Sequence, residues 1–453
     1  MTNILLLYPP FCTPASPPYS ITNIASFLKE NLNDTFNVNL FDANVFCHVK
    51  IFKEYHDYIK NETKENINFE EYEKKTKEYR KISDETYSKN TKKVIGGENP
   101  VLFDEIILEI IKKKPNIVCI SVVYSSQVPY TFALLKELKK RNIKTIIGGP
   151  AVSEKIIEQA DIFLKNKEEL FVYISENKEI KEKTCVLDFS SYNLEKYFLK
   201  EIVYPVKTTN SCPYKKCAFC THHQSEKYFE FDLGKIKDTI KKNNQKYLFI
   251  TDDMLTKKRI IELSEILEPL NVKWMCQLSP KNDFDFGTLK KLHTSGLRVI
   301  MWGMESGSDK ILTLMKKGTN KKDIENVLLH SHKAGIINVT FTMFGFPNET
   351  KEDFLETIEF LKKNEENIDL ICTSIFGLQK NSDVFNNPEN YNVLNIKTKK
   401  RTLLDESISY ELLTGLSQEE ASDFRRKYKK TVEKINKFPK EMNHFREHLL
   451  YFS

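Results

Sequence analysis

At 453 residues, with 40% hydrophobic and 29% charged side chains, the chain has the composition of a folded protein with two or three cores. Its 69 basic and 63 acidic residues leave a net charge of only +6, scattered rather than gathered into a stripe, so nucleic acid is not an expected partner. No run approaches the roughly eighteen apolar residues of a membrane span; Ile4 to Leu7 lacks the flanks of a signal peptide, and nine cysteines without framework spacing fit a reducing, cytoplasmic setting.

The first part alternates short apolar runs with amphipathic stretches, which places it in the α/β class as a doubly wound, Rossmann-like parallel sheet over residues 1–185. Strands are expected at Asn3 to Tyr8, Val38 to Phe41, Asn116 to Val123 and Lys144 to Gly148, with helices at Ile21 to Leu32 and Tyr130 to Lys140. The loops after these strands carry Pro9-Pro10-Phe11, Tyr124-Ser125-Ser126-Gln127 and Gly148-Gly149-Pro150, at the sheet edge where ligands bind in this architecture. Between the second and third strands, Lys53 to Lys93 is charged, contains tyrosines and has helical spacing; it reads as a solvated helical insertion or as a lid over a substrate.

A second alternation begins at Val203. Strands at Val203 to Thr208, Tyr247 to Ile250, Val272 to Gln277, Leu297 to Met301, Asn338 to Met343 and Leu370 to Ile375 are separated by helical stretches such as Leu233 to Lys242, Lys258 to Leu267, Lys321 to Ala334 and Glu352 to Lys363. Six such units make a partial (βα)6 TIM-type barrel, over residues 186–394, with an active site open on one side. Beyond Leu394 the β signals stop: Ser417-Gln-Glu-Glu420 is a capping box opening a helix to about Lys437, Lys440 to Phe452 can form another, and 395–453 reads as a C-terminal helical cap.

The densest chemical signal lies just after the first barrel strand, in Thr208-Thr-Asn-Ser-Cys-Pro-Tyr-Lys-Lys-Cys-Ala-Phe-Cys220. Three thiolates on one loop, Cys212, Cys217 and Cys220, can hold three irons of a [4Fe-4S] cluster and leave the fourth iron open to a small molecule. The alternative is a zinc site completed by His222 or His223. The other six cysteines sit singly, most beside apolar residues, and read as small buried hydrophobes.

This loop resembles the radical S-adenosylmethionine (radical SAM) superfamily. The usual spacing there is Cys-x3-Cys-x2-Cys; this chain has Cys-x4-Cys-x2-Cys, as some branches do. Three further stretches match in the same order: Phe249-Ile-Thr-Asp-Asp253, Gly303-Met-Glu-Ser-Gly307 followed by Lys317-Gly318, and Phe344-Gly-Phe-Pro-Asn-Glu-Thr350. The lead-in Leu187 to Tyr197 and the terminal His444 to Tyr451 are similar to branches in which a cobalamin (B12)-binding-like domain precedes the barrel, so the resemblance spans nearly the whole chain.

The resemblance implies that the open iron chelates S-adenosylmethionine and that one electron cleaves it to a 5′-deoxyadenosyl radical. Phe219 would pack near the adenine, or simply in the core; Asp252 and Asp253 stand where many relatives have Gly-Gly-Glu and would meet the S-adenosylmethionine amino group, or cap a helix. Glu305 and Ser306 would bind ribose hydroxyls, with Gly303 allowing close approach, unless the glutamate is a satisfied structural acid. Gly345 and Pro347 would shape the adenine loop or a plain turn.

For cobalamin the resemblance implies binding by Tyr124, Ser125, Ser126, Gln127, Gly148 and Gly149, without an axial histidine: the Asp-x-His-x-x-Gly motif is missing, and His48 has neither its spacing nor its glycine. Two departures accompany this. Lys165-Asn-Lys-Glu168 replaces a common Gly-Glu-Gly-Glu, and Thr208-Thr-Asn-Ser-Cys212 replaces Thr-Ser-Arg-Gly-Cys. The leading expectation is a cobalamin-dependent enzyme that methylates an unactivated carbon of a small molecule or peptide, supplied with electrons by a flavodoxin or ferredoxin. The alternatives are a radical SAM enzyme without cobalamin that catalyses cyclisation, rearrangement or oxidation, and a non-catalytic iron-sulfur or zinc protein.

Overall fold

Strand β1, Thr2–Tyr8, is buried from Ile4 onward on both faces, as a central strand of a parallel sheet must be. The structure, a computed structural model, describes residues 1–453 except Lys178, Ser225, Glu226 and the side chain of His223. Around β1 pair β2 (Phe36–Asp42), β3 (Ile117–Ser121), β4 (Lys144–Gly148) and a short β5 (Ile162–Phe163), all parallel, in the order β2-β1-β3-β4-β5. This is a doubly wound order whose topological switch lies between β1 and β3, so a crevice opens at their carboxyl ends. The fifth strand goes beyond the four expected; its two residues are too few to show an alternation.

The second sheet contains β6 (Val203–Val206), then, after the short hairpin β7 (Thr209–Asn210) and β8 (Phe229–Glu230), the strands β9 (Tyr247–Ile250), β10 (Lys273–Leu278), β11 (Leu297–Glu305), β12 (Ile337–Phe344) and β13 (Leu370–Ile375). Its six strands pair in parallel and in chain order from β6 to β13, the partial barrel expected from the sequence. Strand alternation divides its side chains. Tyr204, Leu248, Trp274, Ile300 and Ile371 share a core with the flanking helices. Val203, Met275, Val299, Met301, Val339 and Leu370 face the other way, into a core shared with the first domain.

That inner core holds the main surprise of the fold. The helix Arg446–Phe452 is not a surface cap: Leu449, Leu450 and Phe452 are buried among the inward side chains of the barrel strands, and the helix touches β6, β9, β10 and β11. The insertion also departs from a solvated element. It forms helices Lys53–Asn61 and Phe69–Ile95, and the stripe Tyr55, Ile59, Tyr72 and Tyr79 is buried in the same core. Tyr72 meets His448 Nδ1 at 2.9 Å, while His448 Nε2 lies 2.8 Å from the Phe198 carbonyl oxygen. Insertion, interdomain segment and terminal helix are thereby locked together, and burial lowers the His448 pKa to about 3.

Past Leu394 the chain does not turn wholly helical. Strands β14 (Val393–Lys399) and β15 (Ser407–Leu412) form an antiparallel hairpin whose Ile396, Ile408, Tyr410 and Leu412 lean on a small core around Phe346 and Phe376. Only one face of this hairpin is apolar and most of its residues are exposed, which left little hydrophobic pattern to read. The expected capping box is present: Ser417 caps the helix Gln418–Ile435, and its N–H and hydroxyl donate to Glu420.

Candidate active site

The cysteine loop is the loop of the β7–β8 hairpin, and its base is pinned from below. Asp252, just past β9, accepts the N–H of Thr208 at 3.0 Å and the Thr209 hydroxyl at 2.7 Å. Arg259 donates to the carbonyl of Thr208 at 2.8 Å and also to that of Phe231. Burial raises the Asp252 pKa despite these donors. From the side, Ala218 N–H donates to the Met315 carbonyl at 2.9 Å and the Tyr214 hydroxyl to that of Lys316 at 2.8 Å. Gly318 at φ +70° leaves room for this contact: a Cβ there would stand 2.3 Å from the Tyr214 oxygen.

Cys212, Cys217 and Cys220 are free, partly exposed thiols near enough to perturb one another. Burial pushes the Cys217 thiol up to about 11; Lys317 pulls it down, and Cys220, Glu305 and Cys212 add to the rise. Among the described residues no three His, Cys, Asp or Glu side chains crowd round one point as ligands of a single ion do. His222, one of the two zinc candidates, has Nδ1 3.0 Å from Asp253 Oδ1, and the side chain of His223, the other, lies outside the described residues. Three sulfurs on one loop, each free to meet a different iron, suit a cubane cluster.

Next to Cys217 lies a charge pair between Glu305, the expected ribose ligand, and Lys317, which the motif reading quoted without assigning it a role. Lys317 Nζ is 2.9 Å from Glu305 Oε1, with the two side chains 11% and 14% exposed. Burial disfavours the lysine charge, but Glu305 and Cys217 outweigh it and hold its pKa above the ordinary value. The same ammonium is 5.9 Å from the Phe219 ring. Glu305 is presented by a left-handed backbone, φ +65°, at a bulge in the β11–β12 pairing. Gly303 makes the space, since a Cβ there would be 2.8 Å from Lys317 Nζ and 3.0 Å from Glu305 Oε1. The signal was available in the sequence: a lysine directly before the glycine that Tyr214 requires.

The other expected S-adenosylmethionine residues separate into two groups. Asp253 joins the rim, half-exposed beside His222, and although burial opposes its charge, the histidine holds its pKa low. Asp252 is consumed in holding the hairpin. Ser306 is fully buried, its hydroxyl 3.1 Å from that of Thr357 and accepting the Ser308 N–H. Gly345, at φ +75°, gives its N–H to Glu349 and packs on Ala421, and Pro347 is buried beside it. Glu349 is itself fully enclosed; burial raises its pKa to about 8.

On the first sheet, a cavity of about 680 Å³ opens at the carboxyl ends of β1, β3 and β4 and reaches across to Lys207 and Phe231 of the barrel side. Gly148 and Gly149 line it, but each is also required by backbone packing: a Cβ would lie 2.8 Å from the Leu164 carbonyl oxygen or 2.3 Å from that of Val122. Lys165, Lys167, Lys183, Lys207 and Lys227 line it against a single acid, Glu168, so its wall is net basic; Lys167 donates to Asn23 and to the Lys183 carbonyl. The stretch that departs from the family pattern, Lys165 to Glu168, thus forms part of this wall.

Tyr124, Ser125, Ser126 and Gln127 do not line that cavity. Gln127 is a buried strut that donates to the Pro9 carbonyl at 2.7 Å and accepts the N–H groups of Val123 and Tyr124. Burial raises the Tyr124 pKa, and Cys12, Glu447 and Arg446 lie within electrostatic reach of it. Arg446 stacks 4.9 Å from the centre of the Phe341 ring and has no hydrogen bond or ion pair among the described residues. His48 is fully buried between Phe11 and Phe52, with Nδ1 2.8 Å from the Asn44 carbonyl oxygen, so it faces no ligand. Among the described residues no helix is long and apolar enough to cross a membrane.

Residues 206–361 match the Radical SAM superfamily model. The chain is 25% identical over 331 residues to an uncharacterized methyltransferase of Pyrococcus horikoshii, covering 60% of this chain and 69% of that protein. It is 28% identical to the bacteriochlorophyllide d C-12(1)-methyltransferase of Chlorobaculum tepidum, over 35% of this chain and 37% of that one. Its fold is similar to TsrM of Kitasatospora setae, a radical S-adenosylmethionine methyltransferase solved with tryptophan and an S-adenosylmethionine analogue: TM-score 0.59, 15% identity, 94% of this chain and 83% of that chain. The cysteine loop on a partial barrel and the ordered rim motifs lie within or beside the stretch that matches: residues 206–361 are similar to the Radical SAM superfamily, and the chain as a whole, with a doubly wound sheet ahead of the partial barrel, has a fold similar to that of TsrM.

Proposed function

We propose that the protein is a cobalamin-dependent radical SAM methyltransferase acting on an unactivated carbon. The observation that carries the reading is Cys212, Cys217 and Cys220 on one loop, with Cys217 within electrostatic reach of the Lys317–Glu305 pair, on a barrel that shares a core with the first sheet. When bound, the cluster supplies the electron that splits S-adenosylmethionine to methionine and a 5′-deoxyadenosyl radical, and cobalamin carries the methyl group.

The chain's residues do the positioning. The three cysteines would hold the cluster; Lys317 would neutralise the carboxylate of S-adenosylmethionine and Asp253 would accept from its ammonium. Glu305 would accept from ribose hydroxyls. The basic cavity beside Gly148 and Gly149 would take the phosphodiester of the cobalamin nucleotide tail. The apolar packing of Leu449, Leu450 and Phe452 closes the inner end of the barrel and keeps water from a radical. Tyr124, Arg446 and Glu447, where the two domains face each other, are placed to meet the polar part of a substrate.

Anaerobic reconstitution tests this directly. Iron-sulfur and corrinoid absorption bands, production of 5′-deoxyadenosine, and transfer of a deuterated methyl group from S-adenosylmethionine to a product are expected. Cys217→Ala should lose the cluster and all cleavage. Failure to bind any corrinoid would remove the methyl-transfer part, and a protein side chain on the fourth iron would overturn the radical part.

A further inference from the structure

Ser211 stands directly before Cys212, at the turn where β7 leads into the cysteine loop. Two unfavourable features meet in this one residue. Its backbone is left-handed, φ +59°, a conformation that suits glycine and strains a residue with a Cβ. Its hydroxyl is enclosed, the residue being 7% exposed, and has no hydrogen-bond partner among the described residues. The buried carboxylate of the hairpin does not serve it: Asp252 already accepts the N–H groups and the hydroxyls of both Thr208 and Thr209. The two threonines thus satisfy their hydroxyls within the protein, and the serine that follows them does not. A buried hydroxyl without an acceptor has given up its hydration for nothing. Coupled to a strained backbone one peptide away from a candidate cluster ligand, it points to an acceptor that the polypeptide itself does not supply.

We propose that the Ser211 hydroxyl donates a hydrogen bond to a sulfur of the [4Fe-4S] cluster held by Cys212, Cys217 and Cys220, and so raises the reduction potential of that cluster. The inference rests on the function argued above in needing the cluster, and on nothing else in it. Hydrogen bonds to the sulfurs are among the factors that set the potential of such a cluster. When the cluster takes up one electron its sulfurs become more negative, so a donor aimed at one of them stabilises the reduced form more than the oxidised one. The hydroxyl keeps its proton in both states, and no proton moves with the electron. Lys317 exerts its charge on Cys217 and Cys220; Ser211 supplies a dipole on the Cys212 side of the same loop.

The test uses the full-length protein, reconstituted anaerobically with iron and sulfide, and the variants Ser211→Gly and Ser211→Ala. Glycine removes the hydroxyl and relieves the backbone, whereas alanine removes the hydroxyl and keeps the strain, so an effect common to both belongs to the hydroxyl. Midpoint potentials are measured by redox titration, with the reduced cluster followed by electron paramagnetic resonance. Both variants should bind iron and sulfide as the wild type does and shift the one-electron reduction equilibrium about tenfold toward the oxidised cluster, a fall of about 59 mV. A wild-type potential in the loaded variants overturns the proposal. A shift in only one of them overturns it too, because it traces to the backbone. Failure of the glycine variant to take up iron also overturns it, since Ser211 would then serve cluster assembly rather than its potential. A wild-type protein that takes up no cluster refutes the function itself, an outcome distinct from loaded variants with an unmoved potential.

Discussion

Replacing Lys317 with methionine separates what the Lys317–Glu305 pair does for the fold from what it does for a ligand. The substitution keeps most of the side-chain volume and removes an ammonium 2.9 Å from Glu305 Oε1, in a pair whose side chains are 11% and 14% exposed. A charge-assisted hydrogen bond in such a setting contributes about 1.5–3 kcal/mol, and its loss strands a mostly buried carboxylate. Stability should fall by about 2 kcal/mol, read from the urea midpoint. S-adenosylmethionine affinity should fall by roughly 30- to 150-fold, the equivalent of about 2–3 kcal/mol, measured by anaerobic equilibrium dialysis at constant iron content. The Lys317→Met/Glu305→Gln double variant no longer strands a charge, so it should regain stability but not affinity. Normal affinity in the single variant, or recovery of both quantities in the double one, would falsify the assignment of Lys317 to the ligand.

Glu349→Gln tests the enclosed carboxyl that holds Gly345. Its folded pKa, about 8, lies above its unfolded value near 4.5, so the folded state keeps a proton that the unfolded state releases, and wild-type stability declines between those limits as pH rises. The variant should lose that decline and gain about 3 kcal/mol on the wild type between pH 5 and pH 7.5, seen in urea titrations at the two pH values; parallel profiles would contradict it. Tyr72→Phe removes the hydroxyl facing His448 and should cost about 1 kcal/mol, with faster hydrogen exchange in the helix Arg446–Phe452; exchange unchanged there would show that the contact does not anchor the helix. Gly149→Ala, at φ +116° with a Cβ site 2.3 Å from a backbone oxygen, should destabilise by about 2 kcal/mol or more and abolish corrinoid retention, whereas wild-type stability would mean that the loop shifts freely.

Both parallel sheets could be read from the sequence because their strands are unbroken apolar runs followed by amphipathic helices. The cysteine loop could be read because its chemistry is local. What escaped reading was non-local. Asp252 and Asp253 are adjacent and chemically identical, yet one is buried under Thr208 and Thr209 while the other faces the rim; only the β7–β8 hairpin closing over β9 distinguishes them. The tyrosines of the insertion looked solvated because their partners, Phe445 and His448, lie more than 350 positions further along the chain. The β14–β15 hairpin was missed because its few apolar residues meet a core assembled from the barrel's outer loops.

The burial of Leu449 and Leu450 inside the barrel has a consequence for synthesis. The last barrel strand ends at Ile375, so at about 5–20 residues per second a ribosome needs roughly 4 to 14 seconds more to deliver Arg446. Throughout that interval the part of the nascent barrel's lining that Leu449, Leu450 and Phe452 later cover is left exposed. A holding chaperone that covers this lining would have the same few seconds in which to act.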